Sequence, residues 1–172
     1  MFSKFRSLIF KIDPEIAHTL AIKSLKFNFV TNIFDKNKND PMFQTTLFGK
    51  KIDNPIGMAA GFDKNGEVYN PLFRLGVGFV EVGTVTPLKQ FGNPKPRVFR
   101  LEEDQALINR LGFNSFGTNN VDSTIRSNPP NGLLGVNIGP NKDTKDKLND
   151  YLICLKTFRS EEHTSELQSQ WD

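Results

Sequence analysis

Cysteine and histidine are scarce in this sequence, which has one cysteine and two histidines among its 172 residues. Because Cys154 stands alone, no disulfide can form within the chain, and a reducing compartment is expected. His18 and His163 lie on unrelated segments, far apart along the chain. No group of these residues has the spacing of metal ligands, so we expect neither a metal centre nor a cysteine–histidine nucleophile.

Long apolar runs and long basic runs are missing as well. No stretch approaches the ~20 apolar residues of a membrane-spanning helix. The start of the sequence has no apolar region followed by a small-residue cleavage site, so no signal peptide is expected. The net charge of +3 and the isoelectric point near 9.0 suit an anionic ligand or a membrane surface. Since no Lys/Arg block stands beside exposed aromatic residues, nucleic acid is not an expected partner.

What the sequence does contain is an alternation of short apolar runs and helical patterns. The predicted strands and helices, in chain order, are residues 56–60, 67–75, 78–82, 119–127, 133–138 and about 144–158. Strand and helix in alternation indicate a parallel α/β sheet or barrel. A complete (β/α)₈ barrel needs ~250 residues, so this length can hold only part of one.

The segment before this alternation is predicted to form two short helices. In the second helix, Asp13 is the expected N-cap, and Pro14 takes the first turn, where its missing N–H costs nothing. Two interpretations stay open: a helical pair packed on the main domain, or a basic amphipathic anchor resting on a membrane. A polar linker at residues 35–41 separates this hairpin, residues 1–38, from the main domain, residues 42–158.

Three other segments lie outside the alternating pattern. Residues 44–52 are predicted as a β-hairpin around Gly49, and residues 97–101 as an extended arm. Residues 159–172 have no apolar periodicity and resemble the translation of a sequencing-library adapter. We interpret this tail as non-native and exclude it from the fold, in which case His163 has no function. A polar, disordered C-terminus is the alternative.

Small and charged residues stand at the end of the first predicted strand, where a β/α enzyme places its chemistry. Residues 60–64 can admit a flat ring close to the backbone, since Gly61 tolerates unusual dihedral angles. Lys64 can set a cation over an anionic ligand. In a dehydrated site such a pair is worth roughly 4 kcal/mol at ~4 Å, against about 1 kcal/mol in water. The competing interpretation is a glycine-rich turn with a solvated lysine.

Three further polar features each leave two interpretations open. Thr84 can donate to a ligand or cap the next turn. Asn137 needs partners if it is buried, and these are a ligand edge or a neighbouring backbone group. Residues 109–113 are a polar recognition loop, or an irregular loop with an ordinary surface arginine. No feature decides the function singly, and their shared position at strand ends is the stronger argument.

Six ordered motifs resemble one known family. They are Asp-Pro-Glu-Ile-Ala-His (13–18), Gly-Met-Ala-Ala-Gly-Phe-Asp-Lys-Asn-Gly-Glu (57–67), Glu-Val-Gly-Thr-Val-Thr-Pro (81–87), Gly-Asn-Pro-Lys-Pro-Arg-Val-Phe-Arg-Leu (92–101), Ile-Asn-Arg-Leu-Gly-Phe-Asn (108–114) and Gly-Val-Asn-Ile-Gly (135–139). From about residue 9 to residue 155, the chain resembles the quinone-dependent (class 2) dihydroorotate dehydrogenases. The resemblance implies an FMN-binding (β/α)₈ TIM barrel, truncated here to roughly its first three strands, with an N-terminal two-helix extension. It also implies oxidation of dihydroorotate to orotate in pyrimidine synthesis, with electrons passing to a membrane quinone.

The resemblance assigns roles to individual residues of these motifs. FMN would be contacted by Ala60, Gly61, Phe62, Asp63, Lys64, Thr84 and Asn137. The substrate would be contacted by Lys64, Asn109, Arg110, Leu111, Gly112 and Phe113. A quinone site would lie between the helical extension and the barrel, beside His18 and Arg100. This favours the membrane interpretation of residues 1–38, and the implied location is peripheral, on the cytoplasmic face of the bacterial cell membrane.

The catalytic base of this class is missing from the sequence. The resemblance implies a serine base in an Asn-Ser/Thr-Pro-Asn-Thr-type loop after the next strand. No such loop occurs in these 172 residues. Ser115 lies in another motif and Ser165 in the excluded tail, so neither is a substitute. We therefore expect the polypeptide alone to be inactive. The alternatives are a cytosolic flavin-dependent barrel oxidoreductase with another acceptor, a non-catalytic binding fragment, or a phosphate-binding barrel of unrelated chemistry.

Overall fold

The computed structural model describes residues 10–27 and 41–159. Its helices are α1 (Pro14–Lys26), α2 (Tyr69–Arg74), α3 (Thr118–Ser127) and α4 (Lys147–Phe158), with a short 3₁₀ turn at Pro41–Phe43. Its strands are β1 (Thr45–Leu47), β2 (Lys50–Ile52), β3 (Gly57–Met58), β4 (Phe79–Val85), β5 (Val98–Leu101), β6 (Ala106–Asn109) and β7 (Leu133–Ile138). Most of the predicted first helix, most of the linker and the tail from residue 160 onward lie outside the described residues.

Helix α1 begins where the sequence predicts. Asp13 Oδ1 accepts hydrogen bonds from the backbone N–H groups of Glu15 (2.9 Å) and Ile16 (3.0 Å). These donors have no partner within the helix, so the cap stabilises its first turn. The buried side of the helix carries Ile22 and Leu25, which belong to the hydrophobic core. Helix α1 therefore packs on the main domain.

The centre of the fold is a three-stranded parallel sheet in the order β3-β4-β7. In the central strand, Val80 and Val82 are buried in a core with side chains of α2, α3 and α4. Side chains alternate along a strand, so Glu81 points to the opposite face. Helices on one face of parallel strands, with polar groups on the other face at the strand ends, is the arrangement of a β/α barrel.

Cys154 of α4 closes the core beside the end of β4. The side chain is fully buried, and its Sγ lies 3.9 Å from the carbonyl oxygen of Val85. Burial, assisted by the nearby Asp150 carboxylate, raises the pKa of the thiol to about 11. The thiol is therefore protonated at neutral pH and acts as a core residue. Among the described residues, no three His, Cys, Asp or Glu side chains are grouped as metal ligands.

Two antiparallel hairpins flank the parallel sheet. Strands β1 and β2 are joined by Phe48 and Gly49, both at positive φ (51° and 77°), as a two-residue hairpin turn requires. This confirms the predicted hairpin within residues 44–52. Strand β5, the predicted extended arm, pairs with β6, which the sequence did not predict. All four residues of β6 are exposed, so it has no buried face to produce an alternating pattern.

The bounds of most predicted elements differ from the structure by a few residues, and two of these differences lie beside the strand ends. Strand β4 does not end at Val82 but continues to Val85, which pairs with Ile138 of β7. Helix α2 begins two residues later than predicted. The backbone N–H groups of Glu67 and Val68, just before it, bond to the side chain of Asp63, which sets the start of the helix.

Candidate functional site

A polar network joins the carboxyl ends of the three parallel strands on the face away from the helices. Asn137 Nδ2 donates to Glu81 Oε1 at 3.0 Å, and Thr84 Oγ1 donates to Asn137 Oδ1 at 2.6 Å. Glu81 Oε2 accepts from the Ala60 N–H at 3.4 Å. The network ties the turn after β3 to β4 and β7, and it fixes the direction in which the Asn137 amide points.

Gly83 allows β4 to approach its neighbours closely. Its φ is 114°, and a Cβ atom there would collide with the carbonyl oxygen of Asn137. The Gly83 carbonyl accepts from the Gly61 N–H at 2.8 Å, and the Gly83 N–H donates to the Asp63 carbonyl at 3.0 Å. The peptide bond between Gly83 and Thr84 is cis. The loop that follows β3 is thus attached to β4 through the backbone.

Asp63 stabilises this loop from the inside. The residue is 1% exposed, and its two carboxylate oxygens accept from the N–H groups of Glu67 and Val68, each at 2.7 Å. Burial raises the pKa of the Asp63 carboxyl, although these hydrogen bonds act in the opposite direction. The carboxylate is engaged in the turn, so a contact between this side chain and a cofactor stays a prediction.

Lys64 brings a half-buried ammonium group to the same loop. Its Nζ donates to the Gly61 carbonyl at 2.6 Å, and in the described part of the chain it forms no ion pair. Burial lowers the pKa of Lys64, and Arg97 acts in the same direction against the Glu15 and Asp63 carboxylates. An ammonium group without a paired carboxylate, in a partly dehydrated cleft, suits an anionic ligand.

Residues 109–113, the ligand loop, are held in an unusual backbone conformation. Gly112 and Phe113 have φ values of 73° and 52°. A Cβ atom on Gly112 would lie 2.9 Å from atoms of Asn93. Gln90 Nε2 donates to the carbonyls of Gly112 (3.3 Å) and Phe113 (2.9 Å), and the Asn93 N–H donates to the Leu111 carbonyl (3.0 Å). These contacts fix the loop against the turn at residues 90–93.

Helix α1 is attached to the opposite wall of the site by two of the predicted residues. His18 Nε2–H donates to the Phe62 carbonyl at 2.7 Å, and the two rings meet edge to face with centroids 5.4 Å apart. Arg100 Nη1 donates to the carbonyls of Phe10 (3.0 Å) and Ile12 (2.7 Å), where the chain enters α1. His18 thus binds the loop after β3, and Arg100 binds the start of the helix to β5.

A cleft of about 710 Å³ lies between α1, the loop after β3 and the β5–β6 hairpin. The predicted site residues that line it are His18, Gly61, Phe62, Lys64, Arg100, Asn109 and Leu111. Ala60, Thr84 and Asn137 belong instead to the network at the strand ends. The exposed Arg110 turns away, because its Nη2 donates to the Pro96 carbonyl at 3.0 Å. The structure therefore brings both predicted quinone residues and three of the six predicted substrate residues, Lys64, Asn109 and Leu111, to one cleft. Arg110, Gly112 and Phe113 lie outside its lining.

The family model described as dihydroorotate dehydrogenase matches residues 42–168 of the chain. The chain belongs to the dihydroorotate dehydrogenase family. Curated relatives carry the name dihydroorotate dehydrogenase (quinone). The relative from Bartonella tribocorum is 52% identical over 155 residues, which cover 89% of this chain and 42% of that protein. The relative from Buchnera aphidicola is 47% identical over 156 residues, which cover 88% and 46%.

These matches confirm the quinone-dependent dihydroorotate dehydrogenases as the family predicted from the motifs. The chain spans less than half the length of the two relatives. The family model extends past Phe158 into the segment interpreted as a non-native tail. That segment lies beyond the described residues, so its interpretation stays a prediction.

Solved structures of a dihydroorotate dehydrogenase from Eimeria tenella share this fold. The ligand-free structure superposes with a TM-score of 0.77 at 40% identity, and covers 84% of this chain and 42% of that chain. The complex with ferulenol gives a TM-score of 0.73 at 39% identity, with coverages of 84% and 40%. The predicted α/β class is confirmed, and the chain has the fold of part of a TIM-barrel-family protein.

Two polar residues of the candidate site have no role predicted from the sequence. Glu81 lies between the core residues Val80 and Val82, and this alternation was the signal that it faces away from the helices. Asn114 lines the cleft, and its buried Oδ1 has no hydrogen-bond partner in the described part of the chain. No local pattern distinguishes Asn114 from an ordinary loop residue, because its burial depends on the turn at residues 90–93.

Proposed function

We propose that this chain supplies the FMN-binding site, part of the substrate site and the electron-acceptor end of the cleft in a quinone-dependent dihydroorotate dehydrogenase. That enzyme oxidises (S)-dihydroorotate to orotate in de novo pyrimidine synthesis. One observation supports the proposal above all: a single cleft reaches from Lys64 and Asn109 to His18 and Arg100. A site with Lys64 alone would serve many anionic ligands. The second end, at α1, provides room for an electron acceptor distinct from the substrate.

The residues at the strand ends fit a flat cofactor such as FMN. Gly61 has a φ of 105° and open space where a Cβ atom would stand, so a ring can approach the backbone there. Thr84 and Asn137 bond to each other, yet the hydroxyl and the amide each keep further hydrogen-bonding capacity. Bound FMN would accept a hydride from dihydroorotate. The residues of this chain would hold the ring and keep its polar edge on the Thr84–Asn137 pair.

The substrate end has a cation and a polar loop for a carboxylate on a ring. Lys64 would pair with the carboxylate of dihydroorotate. Asn109 would meet the polar ring edge, because β6 and the ligand loop bring it to the cleft wall. The backbone of the ligand loop is fixed by Gln90 and Asn93, so a ligand would meet a preorganised surface.

The finer architecture belongs to the same proposal. Strands β3, β4 and β7 would be the first three of eight barrel strands, and α1 would be the described half of a two-helix extension. Ser115 is no substitute for the family's serine base, because its buried Oγ accepts from the N–H groups of Thr86 (3.2 Å) and Gly117 (3.1 Å). We expect the 172-residue chain to bind ligands without turnover. Measurable dihydroorotate-to-quinone turnover by the purified chain would contradict this.

Binding of FMN to the purified chain, followed by flavin fluorescence, tests the proposed FMN-binding site. Replacing Thr84 with valine keeps the shape of the side chain and removes its hydroxyl. We expect Thr84→Val to weaken FMN binding by roughly tenfold, the value of about one hydrogen bond. The matched control is Thr124→Val on α3, where the hydroxyl donates to the Asn120 carbonyl at 2.9 Å. Absence of saturable FMN binding, or an equal loss of FMN affinity in both variants, would overturn the proposed FMN-binding site.

Peripheral attachment to the cytoplasmic face of a bacterial inner membrane is part of the proposal. In the described ranges, no helix is long and apolar enough to cross a bilayer. Helix α1 and its C-cap nevertheless expose three large apolar side chains, Ile16 (54%), Leu20 (51%) and Phe27 (70%). Two lysines, Lys23 and Lys26, lie in the last turn of α1. Such a combination of apolar and basic residues suits the surface of an anionic membrane.

Flotation with vesicles that contain anionic phospholipid tests this attachment. We expect the double variant Ile16→Ser/Leu20→Ser to lose most of the vesicle-bound fraction. The matched control, Leu148→Ser/Leu152→Ser, removes two comparably exposed leucines from α4. Unchanged flotation of the α1 variant, or equal losses in both double variants, would favour the cytosolic alternative with another electron acceptor.

A further inference from the structure

Arg97 is a buried arginine, 7% exposed, that connects two parts of the cleft wall. Its Nε lies 3.1 Å from each carboxylate oxygen of Glu15, and its Nη2 donates to Glu15 Oε1 at 2.8 Å. Its Nη1 donates to the carbonyls of Phe91 (2.6 Å), Asn93 (2.9 Å) and Leu111 (3.5 Å). One edge of the guanidinium therefore binds α1, and the other binds the ligand loop and its supporting turn.

The partner of Arg97 is suited to a specific contact. The Glu15 side chain is 18% exposed, and its second cation, Lys95, lies 3.6 Å away and is itself 64% exposed. A planar guanidinium can meet a carboxylate in a forked arrangement and still donate elsewhere, which the single ammonium of a lysine cannot do. The geometry therefore depends on arginine at position 97 and on a carboxylate at position 15.

The backbone continues the connection from Arg97 into the ligand loop. The Arg110 N–H donates to the Arg97 carbonyl at 2.9 Å. The Asn93 N–H donates to the Leu111 carbonyl at 3.0 Å, and Asn93 Nδ2 donates to the Arg110 carbonyl at 2.8 Å. Leu111 lines the cleft. A shift of Arg97 would consequently move the wall that a ligand contacts.

We infer that Arg97 and Glu15 are a positioning pair that fixes the ligand loop, residues 109–113, to helix α1, so that the substrate end and the acceptor end of the cleft are set as one unit. Arg97 acts through the backbone of Leu111 and does not need to touch a ligand itself. The consequence for ligand binding rests on the proposed function. The structural coupling does not depend on it, because every contact that carries it lies within this chain.

Hydrogen exchange in the full 172-residue chain tests the coupling without any ligand. In Glu15→Gln we expect the amides of Asn93 and Arg110 to exchange roughly tenfold faster, because a charge-assisted contact is lost. The amides of Gly61 and Gly83, which bond across the strand ends, keep their wild-type rates. A second variant, Arg97→Lys, keeps a positive charge but loses the fork, and gives the same local acceleration.

The control for this experiment is another ion pair of the same helix. Lys26 Nζ lies 2.6 Å from Glu67 Oε1, and among the described residues neither side chain forms a hydrogen bond or ion pair with the ligand loop. Lys26→Gln leaves the amides of Asn93 and Arg110 unchanged. Wild-type exchange at both amides in Glu15→Gln would overturn the inference. An acceleration spread evenly over the molecule would overturn it too, since Glu15 would then only stabilise the fold.

Orotate affinity connects the pair to function. We expect Arg97→Lys, which leaves the charges of the cleft wall unchanged, to weaken orotate binding about fivefold or more, while Arg126→Gln on α3, whose ion pair with Asp122 (2.8 Å) lies outside the cleft lining, leaves it unchanged. An equal affinity in Arg97→Lys and wild type would contradict the inference at the level of binding. If the unsubstituted chain binds no orotate, the proposed function fails, and hydrogen exchange alone decides the positioning role.

Discussion

The strand ends and the α1 side of the candidate site are held in different ways. At the strand ends, backbone contacts around Gly83 and the network of Glu81 and Asn137 join β4 to β7 and to the loop that follows β3. At helix α1, single side chains make the attachments, and they bridge 82 residues from Glu15 to Arg97 and 44 residues from His18 to Phe62. The strand ends are thus determined by the topology of the sheet. The α1 side depends on a few polar contacts that can be removed one at a time.

The largest expected effect comes from Gly83→Ala, which introduces a steric clash at the strand ends. The new Cβ atom would collide with the Asn137 carbonyl oxygen at a φ of 114°, and neither backbone can retreat from a paired sheet. We expect a loss of about 3 kcal/mol or more in the free energy of unfolding, measured by thermal or urea denaturation. Gly49→Ala is the control, because its φ is 77° but its surroundings are open, so only about 1–2 kcal/mol is lost. Equal losses would contradict the close approach of β4 and β7.

Replacement of Lys64 should separate binding from stability. Lys64→Met removes an ammonium group whose burial already disfavours the charged form, so the free energy of unfolding should stay equal or rise slightly. Binding of orotate, measured by calorimetry, should weaken by about 2–3 kcal/mol through loss of a charged hydrogen bond. Lys51→Met on the exposed strand β2 should change neither quantity. Full affinity in Lys64→Met would show that the anion binds elsewhere.

Acidification should weaken the helix end of the cleft through Glu15. The hydrogen bond from Arg97 is the main cause that lowers the pKa of Glu15 below its ordinary value of 4.5. The folded state favours the ionised form of Glu15. Its contribution to the stability of the fold is therefore complete above pH 4.5 and is lost as the pH falls through the lowered pKa. We expect the free energy of unfolding of wild type to exceed that of Glu15→Gln by about 1–3 kcal/mol at pH 7. This difference should narrow in acid. Urea denaturation from pH 7 to pH 3 checks this, and a gap that is constant over this range would contradict it.

The smallest expected effect belongs to the exposed pair at the end of α1. The side chains of Lys26 and Glu67 are 48% and 31% exposed, so solvent screens their attraction. We expect Lys26→Gln to lower the free energy of unfolding by less than about 1 kcal/mol, and less still in high salt. A loss as large as that of Glu15→Gln would mean that α1 is held by its total charge rather than by Arg97.

Local chemistry made part of this fold predictable. An N-cap and a proline at Asp13 and Pro14 determined the start of α1, and Gly49 marked the β1–β2 turn. The three parallel strands were predicted within a few residues of their observed bounds, because apolar runs that end in small residues are local signals. Strand β6 gave no such signal, since it is exposed along its whole length.

The site was harder to predict because its geometry depends on contacts between distant residues. The sequence left Asn137 with a ligand or a backbone group as its partner, and the structure gives it two side chains of β4, Thr84 and Glu81. The sequence left Lys64 with two interpretations, a dehydrated ligand site or a solvated turn, and the structure half-buries it. The contact of Glu15 with Arg97 crosses 82 residues, and no local pattern encodes it. The contact of His18 with the loop that carries Lys64 has no local signal either, and the family resemblance assigned these two residues to different sites.

Chemical labelling of the buried Cys154 thiol can report motion of α4 on the helix-covered face of the sheet. It is the one cysteine of the sequence, and its sulfur lies against Val85, next to the strand end that carries Thr84. A thiol reagent can reach it only when α4 lifts away, so the labelling rate measures how often that helix opens. Ligands that tighten the strand ends should therefore slow labelling at a sulfur they never touch.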